Sequence, residues 1–130
     1  MSSKSSLIFA DLKHSVDFLS DVLSQPFDIY MRAAAILAFN ISFELSWKYL
    51  QSRLIESGLQ GNSPRSVFRE SGRVGLLDDV EIWLFFTEQR NLTMHTYQSA
   101  LAEEVYKNVK EFFLPNVTKL LVSASPSVDI

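Results

Sequence analysis

The spacing of hydrophobic residues predicts that this chain is helical. From Ser6 to Ser24, apolar side chains recur at steps of three and four residues, the period of one face of an amphipathic helix. They are Phe9, Leu12, Val16, Leu19 and Leu23. The helix is predicted to end at Gln25-Pro26, because proline cannot continue helical hydrogen bonding. The polar residues 1–5 are expected to be frayed.

A longer second helix is predicted from about Asp28 to Ser57. The Asp28 carboxylate suits a helix N-terminus, and Gly58 suits the position after a helix C-terminus. The expected inner seam has one polar member and consists of Ile36, Asn40, Phe43, Trp47, Leu50 and Leu54. Glu44 and Lys48 are spaced to form an ion pair. Alternatively, Glu44 could lie near the seam and, with Asn40, help orient a polar site.

A short third helix is predicted to begin at Ser63, with Pro64 in its first turn. It carries arginines spaced four residues apart, namely Arg65, Arg69 and Arg73. This basic face could hold the phosphates of RNA or a nucleotide, or dock an acidic partner. The alternative is a solvated helix face paired with Glu70 and other carboxylates, which the spacing alone favours.

A fourth helix is predicted to begin at Asp78 or Asp79. Its stretch Ile82–Phe86 is apolar on every side, which predicts burial around the whole circumference. A bundle of this size can rarely bury an entire helix by itself. We therefore expect one side of this helix to lie in a homodimer interface.

The last helix is predicted from about Gln98 to Leu114, with Pro115 kinking or interrupting it. Its expected inward residues are Leu101, Val105, Tyr106, Val109 and Phe112 or Phe113. Residues 123–130 are expected to form a disordered tail, which leaves residues 1–122 as one domain. The predicted fold class is an all-α, antiparallel up-and-down four-helix bundle with a short extra helix.

Composition narrows the chemistry. The chain has no cysteine and two histidines far apart, so disulfides, thiolate nucleophiles and a histidine-based metal cluster are not expected. We expect no cofactor. The N-terminal residues do not resemble a signal peptide and no stretch has the apolar length of a membrane span, so we expect a cytoplasmic protein. The net charge of −3 implies that any contact with RNA or a nucleotide is local.

The segment Arg90–Tyr97 concentrates polar chemistry directly after the most apolar stretch of the chain. On one continuous helix, Arg90 and His95 would lie about 140° apart and could not face one ligand. Thr93 and Thr96 are weak helix formers that make a break plausible between or beside them. The alternative is a site completed by a second protomer across a two-fold axis.

An arginine and a histidine suffice in principle for metal-independent RNA cleavage. Arginine binds a phosphate through two parallel hydrogen bonds, and histidine exchanges protons near neutral pH. The structural interpretation is that Arg90 and His95 only hydrogen-bond helix ends at a kink. Spacing alone favours that interpretation.

Several segments together resemble the nucleotidyltransferase substrate-binding proteins of the HEPN superfamily. They are FELSWKYL, SPRSVFRE, GLL, EIW, RNLTMHTY and AEEVY, which occur in the family's order across roughly residues 28–120. The resemblance implies a dimerising four-helix bundle that is encoded beside a minimal nucleotidyltransferase (MNT). It makes a functional role for Arg90 and His95 the better interpretation.

The resemblance also implies roles for individual residues. Arg90 and His95 match the superfamily motif of Arg and His separated by four to six residues, which is the ribonuclease site of such toxins. Asn91 matches the polar residue that follows the Arg. Tyr97 completes the pattern RxxxxHxY, in which the partner antitoxin adenylylates the tyrosine. The sequence departs from the family at Asn40, where relatives often carry Glu.

Two functions follow from the resemblance. The first is a HEPN-type toxin, an endoribonuclease with catalytic Arg90, His95 and Asn91, silenced by adenylylation of Tyr97. The second is a non-catalytic subunit that binds a nucleotide or substrate for a separate transferase. The predicted nucleotide- or phosphate-binding residues are Arg65, Arg69, Arg73, Glu44 and Lys48. A weaker third interpretation is a degenerate, purely structural partner. The chain lacks the Gly-Ser turn and paired aspartates of a nucleotidyltransferase, so it is not expected to be the transferase.

Overall fold

The computed structural model describes residues 1–124, which form helices and no strand. The α-helices are α1 (Ser3–Ser24), α2 (Ile29–Glu56), α3 (Pro64–Arg73), α4 (Val80–Leu92), α5 (Ser99–Asn108) and α6 (Leu114–Ala124). A 3₁₀ turn, Thr93–His95, follows α4, and a π-helical segment, Val109–Phe113, joins α5 to α6. Since α5 and α6 thus form one long helix, the described chain has four long helices and one short one. The predicted all-α class is confirmed.

Three helices begin at the predicted caps. The side chains of Asp28, Ser63 and Asp79 accept hydrogen bonds from backbone N–H groups three residues on, at 2.8, 3.2 and 3.1 Å. Each bond satisfies a donor that the first turn of a helix leaves free. Gly58 follows the end of α2 with a φ of 75°, which glycine adopts without steric cost.

The first helix begins earlier than predicted. Ser2 caps it by accepting from the N–H of Ser5 at 3.1 Å, and Ser5 itself is fully buried. The Ser5 hydroxyl bonds that of Ser52 on α2 at 2.7 Å and also contacts the Glu56 carboxylate. The prediction of frayed residues 1–5 is therefore wrong for Ser3 onward, because α2 supplies partners for these polar side chains.

The core lies between the long helices and is rich in aromatic rings. It contains Phe39, Phe43, Phe68, Trp83, Phe86 and Phe113, which pack in tilted or edge-to-face pairs. Trp47 and Asn40 were predicted in the inner seam, but both are only half-buried. The indole N–H of Trp47 needs an acceptor, which it finds in the surface residue Glu44. The buried tryptophan is Trp83.

The fourth helix is less deeply buried than its sequence predicts. Within Ile82–Phe86, Trp83 and Phe86 are buried and the other three residues are half-buried. The outer residue Phe85 packs edge-on against Phe112 of the π-helical segment, with ring centroids 6.3 Å apart. The chain itself thus covers part of the surface that was assigned to a dimer partner.

Pro115 does not interrupt the last helix. Helical structure continues to Ala124, and the turn before the proline widens into a π-helical turn in which Leu114 N–H bonds Val109 O. A wider turn gives room for the proline ring, which would crowd the carbonyl four residues earlier. Phe113 points inward, whereas Phe112 is 43% exposed.

The first two residues of the predicted tail, Ser123 and Ala124, belong to α6, and residues 125–130 lie outside the described residues. Within the described part, no helix is both long and apolar enough to cross a membrane.

Candidate functional site

The regular α-helix ends between Arg90 and His95, as predicted from the presence of Thr93 and Thr96. Helix α4 ends at Leu92 and a 3₁₀ turn follows. The hydroxyl of Thr93 lies 2.6 Å from the carbonyl oxygen of Arg90, and that of Thr96 donates to Thr93 O at 3.0 Å. These hydroxyls satisfy carbonyls that a continuing helix would use. Arg90 and His95 are therefore not held on opposite sides of one regular helix.

Arg90 is held by α2. Its Nη2 lies 3.6 Å from Oε2 of Glu44, and the two side chains are 45% and 35% exposed. The same Oε2 atom accepts a 3.0 Å hydrogen bond from Nε1 of Trp47. Oε1 of Glu44 lies 3.4 Å from Nζ of Lys48, so the predicted Glu44–Lys48 ion pair is confirmed. Glu44 thus connects three neighbours at once.

The role expected for Glu44 changes accordingly. A carboxylate repels a phosphate and attracts a guanidinium, so Glu44 is suited to orient Arg90 rather than to bind a nucleotide directly. The positively charged ammonium group of Lys48 lies beside Glu44. The role of Glu44 in nucleotide or phosphate binding stays a prediction.

Asn40 holds the turn that precedes His95. Its Oδ1 lies 3.2 Å from the Thr93 hydroxyl, which can donate its single proton either to Asn40 or to Arg90 O. Asn40 and Glu44 are one turn apart on α2, so one face of this helix contacts both the 3₁₀ turn and Arg90. Asn40 was predicted only to help Glu44 orient a polar site, and Trp47 was predicted in the core. The four-residue spacing of Asn40 and Glu44 was the available signal.

His95 and Tyr97 form a second group. Nδ1 of His95 lies 3.3 Å from the Tyr97 hydroxyl, and the ring centroids are 5.9 Å apart at 71°. Either group can donate in this bond, depending on the imidazole tautomer. Tyr97 is 78% exposed, and Nε2 of His95 has no hydrogen-bond partner within residues 1–124. The free nitrogen is therefore available to a ligand.

The two groups are not bonded directly to each other in the described residues. In residues 1–124, no hydrogen bond or ion pair joins Arg90 or Glu44 to His95 or Tyr97. Asn91 is exposed, and its side chain makes no hydrogen bond in the same residues. The site lies on an open surface. A cavity of about 390 Å³ elsewhere is lined by Tyr49, Arg53, Trp83, Asn116 and Lys119 among others, and by none of the predicted site residues.

The basic face of α3 is only partly paired. Arg73 donates from Nε to Oε2 of Glu70 at 3.0 Å, and its Nη2 contacts the other carboxylate oxygen. This bidentate pair lowers the pKa of Glu70 and raises that of Arg73. Arg65 and Arg69 form no ion pair in the described part of the chain.

Comparison with known proteins places the chain in a family. The sequence model of "Nucleotidyltransferase substrate binding protein like" matches residues 7–125. The chain therefore belongs to the nucleotidyltransferase substrate-binding protein family, and the resemblance noted in its sequence is confirmed. The name of the family describes the substrate-binding partner of a nucleotidyltransferase.

Individual relatives agree in fold and sequence. A Thermus thermophilus protein superposes with a TM-score of 0.73 at 32% identity, covering 86% of this chain and 93% of its own. HI0074 of Haemophilus influenzae gives 0.64 at 30% identity, covering 91% and 94%, and its structure is described as revealing the fold of a substrate-binding domain of a nucleotidyltransferase.

The curated relative is a "Probable ribonuclease HepT" of Haemophilus influenzae. It is 30% identical to this chain over 87 residues. The match covers 63% of this chain and spans 60% of the length of that relative.

Proposed function

We propose that this chain is a HEPN-type toxin, a metal-independent endoribonuclease of the HepT kind, with Arg90 and His95 as its catalytic residues. The observation that carries the proposal is the helix break at Thr93–His95. Because α4 ends at Leu92, α4 does not set the direction of the His95 side chain. Arg90, which lies within α4, keeps its ion pair with Glu44 of α2. The open surface suits a polymer, because no enclosed pocket limits the length of the ligand. The 30% identity to a probable ribonuclease supports the same activity.

The chemistry is transesterification of an RNA phosphodiester. The ribose 2′-oxygen attacks the phosphorus, the bond to the 5′-oxygen breaks, and a 2′,3′-cyclic phosphate remains. Two protons move: one leaves the 2′-hydroxyl and one joins the departing 5′-oxygen. His95 exchanges one of them through Nε2, and water exchanges the other. Arg90 stabilises the charge that develops on the phosphorane oxygens. Asn91 orients the substrate.

A second protomer completes the site in this proposal. In residues 1–124, no hydrogen bond or ion pair joins Arg90 or Glu44 to His95. In this proposal, the Arg90 and the His95 that meet at one phosphate come from different copies. Exposed apolar residues on α2 continue the helix surface that carries Glu44. These are Tyr30, Leu37 and Ile41, exposed by 76%, 59% and 47%. We therefore place the homodimer contact on this α2 face rather than on the half-buried side of α4.

Tyr97 is the regulatory residue in this proposal. A minimal nucleotidyltransferase, which forms a heteromeric complex with the toxin, transfers AMP from ATP to the Tyr97 hydroxyl and releases pyrophosphate. That oxygen is exposed and lies 3.3 Å from His95 Nδ1. An AMP group there would break the His95–Tyr97 hydrogen bond and cover the imidazole. Such a pair would act in the cytoplasm.

The second candidate function is a non-catalytic subunit that binds a nucleotide or substrate for a transferase. The family name and the description of HI0074 favour it. Binding needs Arg90 and nearby cations but makes little demand on the proton of His95. The two functions therefore differ in their dependence on this one imidazole.

RNA cleavage in EDTA tests the proposal, with purified wild type, His95→Ala and His14→Ala. His14 is the other histidine of the chain and is exposed on α1, so it controls for the loss of an imidazole. We expect wild type and His14→Ala to cleave and His95→Ala to be inactive. No cleavage by wild type, with no AMP on Tyr97 in the intact mass, would favour the binding subunit instead.

A further inference from the structure

Two arginines of α3 carry free positive charge on one surface. The chain has six arginines, and Arg53, Arg73 and Arg90 each lie within 4 Å of a carboxylate. Arg65 and Arg69 have no such carboxylate within residues 1–124 and lie one helical turn apart on the same face. We call these two residues the α3 arginine pair.

The surroundings leave this charge uncompensated. Ser66 completes the cap of α3 with its hydroxyl, and no acidic side chain lies in the first turn. The positive end of the helix dipole is therefore not offset by a carboxylate. Glu70, the acidic residue of α3, is bound by Arg73. The α3 arginine pair thus forms a positive surface in a chain whose net charge is −3.

The helix that carries the pair packs against the part of α2 that holds Arg90. Phe68, the neighbour of Arg69, contacts Phe43 of α2 with ring centroids 5.8 Å apart. Phe43 directly precedes Glu44, which binds Arg90. The pair and Arg90 are therefore carried by helices that pack on the same segment of α2. Lys48, one turn beyond Glu44, adds a cation to that segment.

We propose that the α3 arginine pair binds the phosphodiester backbone of single-stranded RNA outside the cleavage site. Each guanidinium can bind one phosphate through two parallel hydrogen bonds, and successive phosphates of a strand can meet arginines one turn apart. Contacts of this kind position a strand and are indifferent to base sequence. The inference rests on the proposed function, since it names the part of the substrate that lies away from Arg90 and His95.

The test is the salt dependence of RNA binding. A fluorescent single-stranded oligoribonucleotide with 2′-O-methyl groups cannot be cleaved and reports binding by anisotropy over a series of KCl concentrations. The slope of log K against log salt is negative, and the loss of one phosphate contact reduces its magnitude by about 0.7 for a single strand. We expect that decrease in Arg69→Gln and in Arg65→Gln.

The control removes an arginine from another helix. Arg32→Gln removes an arginine of α2 that has no ion pair in residues 1–124. We expect it to keep the wild-type slope. An unchanged slope in Arg69→Gln, or an equal decrease in Arg32→Gln, would overturn the inference. Preferential loss of polyglutamate binding over RNA binding in Arg69→Gln would assign the pair to an acidic protein instead.

The salt-dependence experiment and the cleavage experiment test the two proposals separately. A wild type that does not cut RNA, together with the expected decrease in slope, would reject the ribonuclease proposal and keep the RNA-binding surface. A wild type that cuts RNA, together with unchanged slopes, would reject only the surface.

Discussion

Oε2 of Glu44 lies 3.6 Å from Nη2 of Arg90 and also accepts the indole N–H of Trp47 at 3.0 Å. The indole hydrogen bond orients the carboxylate, and the same oxygen forms the ion pair with Arg90. Arg90 in turn has a preferred position before any substrate binds. Trp47, which is half-buried and lies outside the core, thus influences the site through Glu44.

Trp47→Phe tests this arrangement, since it keeps an aromatic ring but removes the N–H donor. We expect kcat/KM for RNA to fall about tenfold, which corresponds to about 1.4 kcal/mol of transition-state stabilisation. Loss of one hydrogen bond should lower the free energy of unfolding by about 1 kcal/mol. The measurements are RNA cleavage kinetics and urea denaturation.

Trp83→Phe is the matched control for the tryptophan. Trp83 is 2% exposed in the aromatic core, so its replacement should destabilise the fold more than Trp47→Phe does. Its kcat/KM should stay at the wild-type value well below the melting temperature. An equal loss of kcat/KM in both variants would show that the effect of Trp47 is structural.

Tyr97→Phe should prevent adenylylation and leave RNA cleavage active. The variant removes the hydroxyl that receives AMP in the proposal, and the His95 Nε2 atom stays free. Co-expression with a nucleotidyltransferase partner and intact-mass measurement would show the added adenylyl group on wild type. Tyr30→Phe controls for an exposed tyrosine, since Tyr30 is 76% exposed. Modification that persists in Tyr97→Phe would contradict the assignment.

Leu37→Glu should convert the proposed homodimer to a monomer. A carboxylate in an apolar contact loses its hydration without gaining a partner, which costs several kcal/mol. Light scattering of wild type and variant gives the masses. Val122→Glu places the same charge at an apolar residue of α6 that is 71% exposed, and it should remain dimeric. A monomeric wild type would reject the dimer and with it the shared site.

Glu56 should make stability depend on acid pH. Its pKa is lowered below the usual 4.5, first by the hydrogen bond from Ser5, and further by Ser2 and Arg53 against the opposing effect of burial. The folded state favours the charged carboxylate, so the stabilisation is complete above the unfolded-state pKa. It disappears as the pH falls through the lowered pKa of the folded state.

The measurement is the free energy of unfolding of wild type and Glu56→Gln over a pH series. The difference between them should be largest above about pH 4.5 and vanish at lower pH. Glu104→Gln is the control, because the Glu104 side chain makes no hydrogen bond or ion pair in residues 1–124. A constant difference between wild type and Glu56→Gln across the series would contradict the prediction.

Ser71→Ala should be neutral or stabilising. The Ser71 hydroxyl is buried and has no hydrogen-bond partner within the described residues, so its removal relieves a desolvated polar atom. Ser52→Ala is the contrasting variant, since the Ser52 hydroxyl bonds Tyr49 O at 2.8 Å and Ser5 at 2.7 Å. We expect it to lower the free energy of unfolding by about 1 kcal/mol in urea denaturation. Destabilisation by Ser71→Ala would indicate a bound water.

The helix boundaries were predictable because their causes are local. Asp28, Ser63 and Asp79 act on N–H groups three residues away, and Gly58 acts on its own φ angle. The start of α1 was missed because the partner of Ser5 is Ser52, on another helix. No short window of sequence contains that information.

The helix break at the candidate site was predictable from the sequence, whereas the contacts of the candidate residues were not. The break near Thr93 follows from the type of side chain, and it is present. The Glu44–Arg90 contact depends on how α2 and α4 pack, which hydrophobic spacing does not specify. The two tryptophans were indistinguishable for the same reason. Trp47 has a carboxylate one turn away, whereas Trp83 is surrounded by aromatic rings from other helices.

The π-helical turn at Val109–Phe113 acts as one extra residue in an otherwise regular helix. It rotates everything after it by about 100° relative to an uninterrupted α-helix. A homologue without this turn would present the same face of α6 only if it were one residue shorter at this place. Alignment with a homologue that lacks this turn would therefore need a single-residue gap here, because an ungapped alignment would shift the inward positions from Leu114 onward by one residue.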